Sequence, residues 1–204
     1  MHRKDVFSME SPCRLRLKQA LWELAPVDPT AWNGLSHRLY SRPLKRLEHF
    51  SIQGDYAQEL AFVCQGVLRA YGVTEGGEEW NKHFFVEEDF FMAAIAPHQQ
   101  SDMYIQALTP VSLLCISLVH LEELINRYRA LEPIFLRLAL NYLEKKHRKE
   151  SLFLAADAKE KYLFFRQLYP SLEERIPQYQ IARFLGITPI QLSRIRRNLC
   201  SKDR

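Results

Sequence analysis

The 204-residue sequence is 47% hydrophobic and 12% aromatic, enough to bury a sizeable core without disulfides or a metal to staple it. The net charge of +4 conceals a division: residues 1–144 carry 14 basic and 18 acidic side chains, a net of −4, whereas residues 145–204 carry 14 and 6, a net of +8, so a polyanion would bind the C-terminal part. No apolar core follows the charges of MHRKDVFSMESPCRLRLKQ, and no later run offers roughly eighteen uncharged apolar residues, which excludes a signal peptide or spanning helix and predicts a soluble, cytoplasmic protein with no membrane contact.

Residues 1–16 are polar, lack periodicity and read as a disordered tail. A first helix is predicted at about Leu17–Leu24, ended by Pro26, and a second from the cap Asp28-Pro29 to about Leu39. From Tyr40 to Leu118 the pattern changes to short runs of Phe, Val, Ile, Leu and Tyr, punctuated by Gly54, Gly66, Gly76-Gly77, Pro97 and Pro110, which predicts an antiparallel β roll or sandwich. Within it Leu60–Cys64 and Val67–Tyr71 read as two strands meeting at a Gln65-Gly66 turn, with a hairpin tip at Glu75-Gly76-Gly77.

Beyond Leu118 the period becomes helical. Leu121, Leu124, Ile125 and Tyr128 mark one segment, and Leu131, Ile134, Phe135, Leu138, Tyr142 and Leu143 a longer one that runs into the basic Lys145-Lys-His-Arg-Lys149. Ile134, Phe135, Leu138 and Tyr142 are the predicted dimer seam over residues 121–150, with burial on the chain's own roll as the alternative. An amphipathic helix follows near Ala158–Tyr169, and then residues 177–199.

That last segment carries the chemistry. Pro177 opens a helix that Gly186 ends in a left-handed conformation; Thr188-Pro189 then caps and opens another, along which Leu192, Ile195 and Leu199 recur as a buried stripe. Two short helices around Gly186-Ile187-Thr188 predict a helix-turn-helix. The opposite face carries Ile190, Ser193, Arg194 and Arg197, with Gln191 and Asn198 on its flanks. Arginine donates two hydrogen bonds to a guanine edge, amides and hydroxyls read neighbouring bases, and an aliphatic side chain packs on a thymine methyl, so Ile190, Gln191, Ser193 and Arg194 are the base-reading candidates. Gln178, Tyr179, Thr188, Arg196 and Arg197, nearer the helix ends or flanks, are the candidates for holding phosphates.

The string Ile181-Ala-Arg-Phe-Leu-Gly-Ile-Thr-Pro-Ile-Gln-Leu-Ser-Arg-Ile-Arg-Arg197 closely resembles the DNA-binding motif of the Crp/Fnr regulators, and the resemblance continues upstream through Phe62-Val-x-Gln-Gly66-Val-Leu-Arg-Ala-Tyr71 and Glu88-Asp89-Phe90. It implies an α+β fold: a cyclic-nucleotide-binding-like β roll over residues 17–120, a long dimerisation helix over 121–150 and an all-α helix-turn-helix domain over 151–204. It further implies a homodimer on palindromic double-stranded DNA, with RNA polymerase and a small-molecule effector as further partners. By register, Met92-Ala93-Ala94 stands where cyclic-nucleotide-binding members have Gly-Glu-Leu, and Ser101-Asp102 where they have Arg-Ser. An aspartate facing a phosphate would repel it, so the family's usual cyclic-AMP binding is not expected. The pocket, formed by Met92, Ala93, Ala94, Ser101 and Asp102, is either empty, adapted to another ligand, or filled by Phe90, Phe91, Met92, Met103 and Tyr104. Little sequence follows the recognition helix, so phosphate contacts from a β wing are not assumed.

Enzymatic readings lack support. The seven histidines, His2, His37, His49, His83, His98, His120 and His147, are scattered, and there is no glycine-rich phosphate loop or GxSxG elbow. Cys13, Cys64, Cys115 and Cys200 lie far apart, which predicts four reduced thiols, no metal and no cofactor. The rival to a DNA-binding regulator is a drifted member of the same family that serves as a protein-interaction module without DNA binding.

Overall fold

The computed structural model describes residues 11–56, 58–94 and 99–200, without the side chain of residue 200. Helix α1 (Pro12–Leu24) starts five residues before the predicted Leu17, because Ser11-Pro12 is a cap and first-turn pair of the same kind as Asp28-Pro29: the Arg14 N–H donates to Ser11 Oγ. Residues 12–16 are therefore helix, and the rest of the predicted tail lies outside the described residues apart from Ser11. Helix α2 (Pro29–Arg38) is capped by Asp28, as its sequence predicts.

Among the described residues eight strands follow: β1 (Tyr40–Leu44), β2 (His49–Ser51), β3 (Glu59–Gln65), β4 (Leu68–Val73), β5 (Glu79–Phe85), β6 (Phe90–Met92), β7 (Tyr104–Ala107) and β8 (Val111–Ser117). They form two antiparallel four-stranded sheets, ordered β1-β8-β3-β6 and β2-β7-β4-β5. The β4–β5 hairpin is the predicted one, with Gly77 at positive φ in its tip. The strands β3 and β4, by contrast, meet at Gly66 without pairing, and the chain crosses there from one sheet to the other. Gly66 has φ +101°, and a Cβ on it would lie 2.4 Å from the Pro110 carbonyl oxygen, so the crossing admits no side chain.

Each sheet has one helical cover. On the first, period-two alternation puts Leu60 and Phe62 of β3 on one face with Leu114 and Ile116 of β8, where Leu17 and Leu21 of α1 and Leu35 of α2 meet them. Helix α3 (Leu118–Arg127), the short turn Arg129–Leu131 and the start of α4 (Glu132–Ala155) complete this core through Leu121, Leu124, Leu131 and Ile134. On the second sheet, Val67, Phe84 and Leu108 join Tyr162 and Phe165 of α5 (Ala158–Leu168), Ile181, Phe184 and Leu185 of α6 (Gln178–Leu185), and Leu192 of α7 (Pro189–Cys200). Burying a side chain of this size contributes about 1.5–3 kcal/mol, so both covers are substantial.

A disulfide joins Cys13 in the first turn of α1 to Cys64 near the end of β3, with a Cα–Cα distance of 5.4 Å. This corrects the prediction of four reduced thiols: a separation of 51 residues carries no pairing signal until α1 is laid against β3. Cys115 is a buried free thiol, pushed up to about 12 by burial.

The predicted dimer seam also needs revision. Ile134 has no exposed surface, and Phe135 and Leu138 pack against the chain's own core. The outward apolar residues of α4 are Leu136, Leu140, Tyr142 and Leu143, together with Leu154. Of the four predicted residues only Tyr142 is exposed, because the start of α4 must close the first core before it can meet anything else.

Candidate functional site

The C-terminal helix pair is built as its sequence implies. Gly186, at φ +68°, ends α6 in the left-handed conformation, and the chain turns through Ile187 and Thr188 into α7. Leu192 is fully buried, and Ile195 and Leu199 pack against the same core. The opposite face of α7 presents Ile190, Ser193, Arg194 and Arg197 to solvent, with Ile190 65% exposed despite being aliphatic.

Two candidates on this pair are employed within the fold. Gln191 Oε1 accepts from the Thr188 N–H at 3.0 Å and from the Thr188 hydroxyl at 3.3 Å, while the Gln191 N–H donates back to Thr188 Oγ1 at 3.2 Å. This is a capping box, so Gln191 Oε1 and the Thr188 N–H and hydroxyl are committed to starting α7, and of the Gln191 amide only Nε2 is left to reach a base. The signal was present in Thr188-x-x-Gln191. Arg196 lies 4.0 Å from Glu173, a carboxylate that also accepts from the Tyr162 hydroxyl at 2.6 Å, which draws Arg196 inward from a phosphate-facing position. Gln178 and Tyr179 are exposed at the start of α6, and the Arg183 guanidinium lies over the Tyr179 ring at 5.1 Å.

The other predicted site lies in the roll. Met92 and Ala94 are partly buried against the first core, and Ala93 edges an open cleft of about 400 Å³ also lined by Arg42, Phe50, Ser51, Asp55, Tyr56 and Glu59. Arg42 is paired with Glu59, which also accepts from the Tyr40 hydroxyl. Ser101 is buried and its hydroxyl donates to the Met103 carbonyl at 2.7 Å. Asp102 does not face the cleft: its side chain is 80% exposed and lies 3.9 Å from Lys82. Ser101 and Asp102 therefore belong to a turn, not to a pocket wall with Met92, Ala93 and Ala94. The aromatics fill the roll instead. Phe91 stacks on Phe85 at 4.5 Å and meets Phe50 at 4.9 Å, Phe90 meets Phe62 at 4.9 Å, and Tyr104 stacks on Tyr71 at 5.0 Å.

Sequence reasoning missed the junction between the roll and the C-terminal helices. Arg69 of β4 is only 4% exposed, yet charged. Its Nε and Nη2 donate to Gln106 Oε1 at 3.0 and 2.8 Å, and its Nη1 donates to Glu79 at 2.6 Å and to Gln180 Oε1 of α6 at 3.1 Å. Asn81 Nδ2 donates to the carbonyl and to the side-chain oxygen of Gln180 at 2.8 and 2.7 Å. At the rim, Arg175 grips Glu87 through two hydrogen bonds of 2.8 and 2.7 Å. Burial alone would raise the Glu87 carboxyl, but the bonds from Arg175 and from the Gly66 N–H hold it down at about 2. His83 is half-buried, 3.1 Å from the Tyr169 hydroxyl; desolvation there, and then Lys149, Lys145 and Lys82, lower it to about 3 and keep it neutral.

This arrangement, a two-sheet roll, a long helix and a helical end with an exposed basic face, has known counterparts. Residues 42–128 match the sequence model of the cyclic nucleotide-binding domain. Among solved structures the chain is similar to FixK2 from Bradyrhizobium japonicum (TM-score 0.70, 16% identity, covering 81% of this chain and 86% of that one). It is also similar to the c-di-GMP responsive global regulator CLP of Xanthomonas campestris (0.65, 18%, 86% and 93%) and to the catabolite activator protein of Thermus thermophilus (0.54, 19%, 90% and 88%). These three neighbours are transcription regulators of the Crp/Fnr family, and the chain has their fold. No curated protein sequence matches the chain. Among the described residues no helix is long and apolar enough to cross a membrane.

Proposed function

We propose that the chain is a sequence-specific, DNA-binding transcription regulator that acts as a homodimer on palindromic sites through a C-terminal helix-turn-helix. The observation that carries this reading is the outward face of α7, where Ile190, Ser193, Arg194 and Arg197 stand exposed on a capped helix in the basic part of the chain. Ile190, Ser193 and Arg194 read bases, with the Gln191 Nε2 as an auxiliary. Arg197, Gln178 and Tyr179 hold phosphates, while Thr188 and Arg196 serve mainly to set α7 on its domain. The partner copy docks on Leu136, Leu140 and Leu143, which recur on one side of α4 at the three-and-four spacing of a two-helix seam.

The roll does not hold cyclic AMP in the family's usual way. Three features support this: Met92-Ala93-Ala94 offers no carboxylate to a ribose, the Ser101 hydroxyl is spent on its own turn, and Asp102 points to solvent. The cytoplasm is the proposed location, RNA polymerase a further partner, and any effector a small molecule of another kind.

The test is binding to genomic DNA fragments followed by a salt titration. Half-sites about 34 Å apart and a steep loss of affinity with salt are expected. Arg194→Ala should cost about 1–3 kcal/mol at one base pair and relax preference there, whereas Arg197→Ala should weaken all sequences alike. Salt-insensitive binding, or none to any fragment, favours the protein-interaction reading instead.

A further inference from the structure

We propose that Arg69, a residue of the roll, is a positioning residue for DNA recognition: the polar knot around it seats α6 in one register on the second sheet and so sets the spacing between the two α7 helices of a dimer. The inference rests on the DNA-binding reading above, and its consequence for half-site spacing is separate from whether DNA is bound at all.

The knot is unusual for an interface that could have been made of rings alone. Taking a guanidinium out of water costs several kcal/mol unless its donors are met, and here they are: Gln106 takes one edge, while Glu79, Asn81 and Gln180 take the other. Tyr71 lies against the flat of the group at 3.8 Å. Three strands, β4, β5 and β7, thus hold the fork in a fixed plane. Among the described residues, the acceptor on Arg69 that comes from outside the roll is Gln180, itself only 2% exposed.

Phe84, the cross-strand partner of Arg69, packs with Phe165, Phe184 and Tyr169 as tilted and edge-on rings. Contacts between rings are adhesive but weakly directional, so α6 could slide or rotate on them at modest cost. A slide of one turn would strip Asn81 Nδ2 of both its acceptors, the carbonyl and side-chain oxygens of Gln180, leaving buried donors unmet at about 1–3 kcal/mol each, and would take from Arg69 Nη1 one of its three acceptors. Among the described residues no buried side-chain nitrogen or oxygen lacks a partner, so the observed register satisfies the whole set. The knot also reaches the DNA-facing side. Glu79 accepts from Arg69 at 2.6 Å and from Arg183 of α6 at 2.8 Å, and Arg183 lies over Tyr179, a phosphate candidate.

The experiment uses the full chain and a set of palindromes whose half-sites are moved together or apart by single base pairs around the wild-type optimum. The wild type should prefer one spacing by on the order of tenfold, and Arg69→Met, which keeps the length and loses the charge, should bring neighbouring spacings within about twofold. Affinity for an isolated half-site should not change. Gln180→Leu breaks the same knot from the other side and carries the test if Arg69→Met fails to fold; Gln180→Glu, which retains an acceptor for Arg69, should restore selectivity. A folded Arg69→Met or Gln180→Leu with wild-type spacing preference overturns the proposal, because a residue that only stabilised the fold would leave that preference intact. Hydrogen exchange gives a reading without DNA: amides of α6 should exchange at least about tenfold faster in Arg69→Met while those of α1 do not. Unchanged α6 exchange also overturns it. A wild type that binds none of the palindromes sinks the DNA-binding reading, and the exchange result then decides alone whether Arg69 holds α6.

Discussion

The two faces of the roll are covered by helices of opposite character. Over the first sheet, α1, α2, α3 and the start of α4 meet it through Leu17, Leu21, Leu35, Phe135 and Ile134, and a disulfide staples α1 to β3. Over the second, α5, α6 and α7 meet a mixture of rings and the buried polar set of Arg69, Asn81, Gln106 and Gln180. An apolar cover is adhesive and tolerant of small shifts, whereas a polar one admits a single arrangement. A helix that only has to close a core can be held in the first way. A helix whose exposed neighbour has to meet an external surface at a fixed angle gains from the second.

This contrast makes quantitative demands. Phe165 has no exposed surface and sits at the centre of the second cover, so Phe165→Ala should cost about 3–5 kcal/mol in denaturant unfolding. Hydrogen exchange should rise across α5, α6 and α7 before it rises in α1; equal acceleration in both covers would mean that they form one cooperative unit. Cys64→Ser acts on the other side and should cost about 2–4 kcal/mol, with reductant lowering the wild type by a similar amount and leaving the variant unmoved. No effect of reductant on the wild type would show that Cys13 and Cys64 are not joined in solution.

The pH response should be gentler and should belong to the second cover. His83 is neutral in the fold down to about pH 3 but takes a proton in the unfolded chain near pH 6.5, so stability is full above about pH 6.5 and falls as the pH drops. Glu87, held at about 2 in the fold, adds to the loss only below about pH 4.5. The groups facing His83 are Lys149, Lys145, Lys82 and the Tyr169 hydroxyl, none of which supplies a countercharge. His83→Gln should flatten the slope between about pH 6.5 and 4.5, measured by thermal unfolding; an unchanged slope would place the titration elsewhere.

The sequence by itself determined what depends on neighbours along the chain. Alternation and glycine punctuation revealed the roll, Asp28-Pro29 and Thr188-Pro189 revealed helix starts, and the stripe Leu192, Ile195 and Leu199 revealed which face of α7 is left outward. The same local logic contains the Ser11-Pro12 start and the Thr188–Gln191 capping box. What only the tertiary structure decided are the encounters between distant segments. The crossing at Gly66, the Cys13–Cys64 bond, the inward turn of Ile134, the outward turn of Asp102 and the seating of Gln180 on Arg69 each depend on which sheet a strand joins and which helix covers it. An arginine near the start of a strand reads as a solvent-facing residue until strands and a helix more than a hundred residues away supply its acceptors, because a charge is buried only when its partners arrive with the fold.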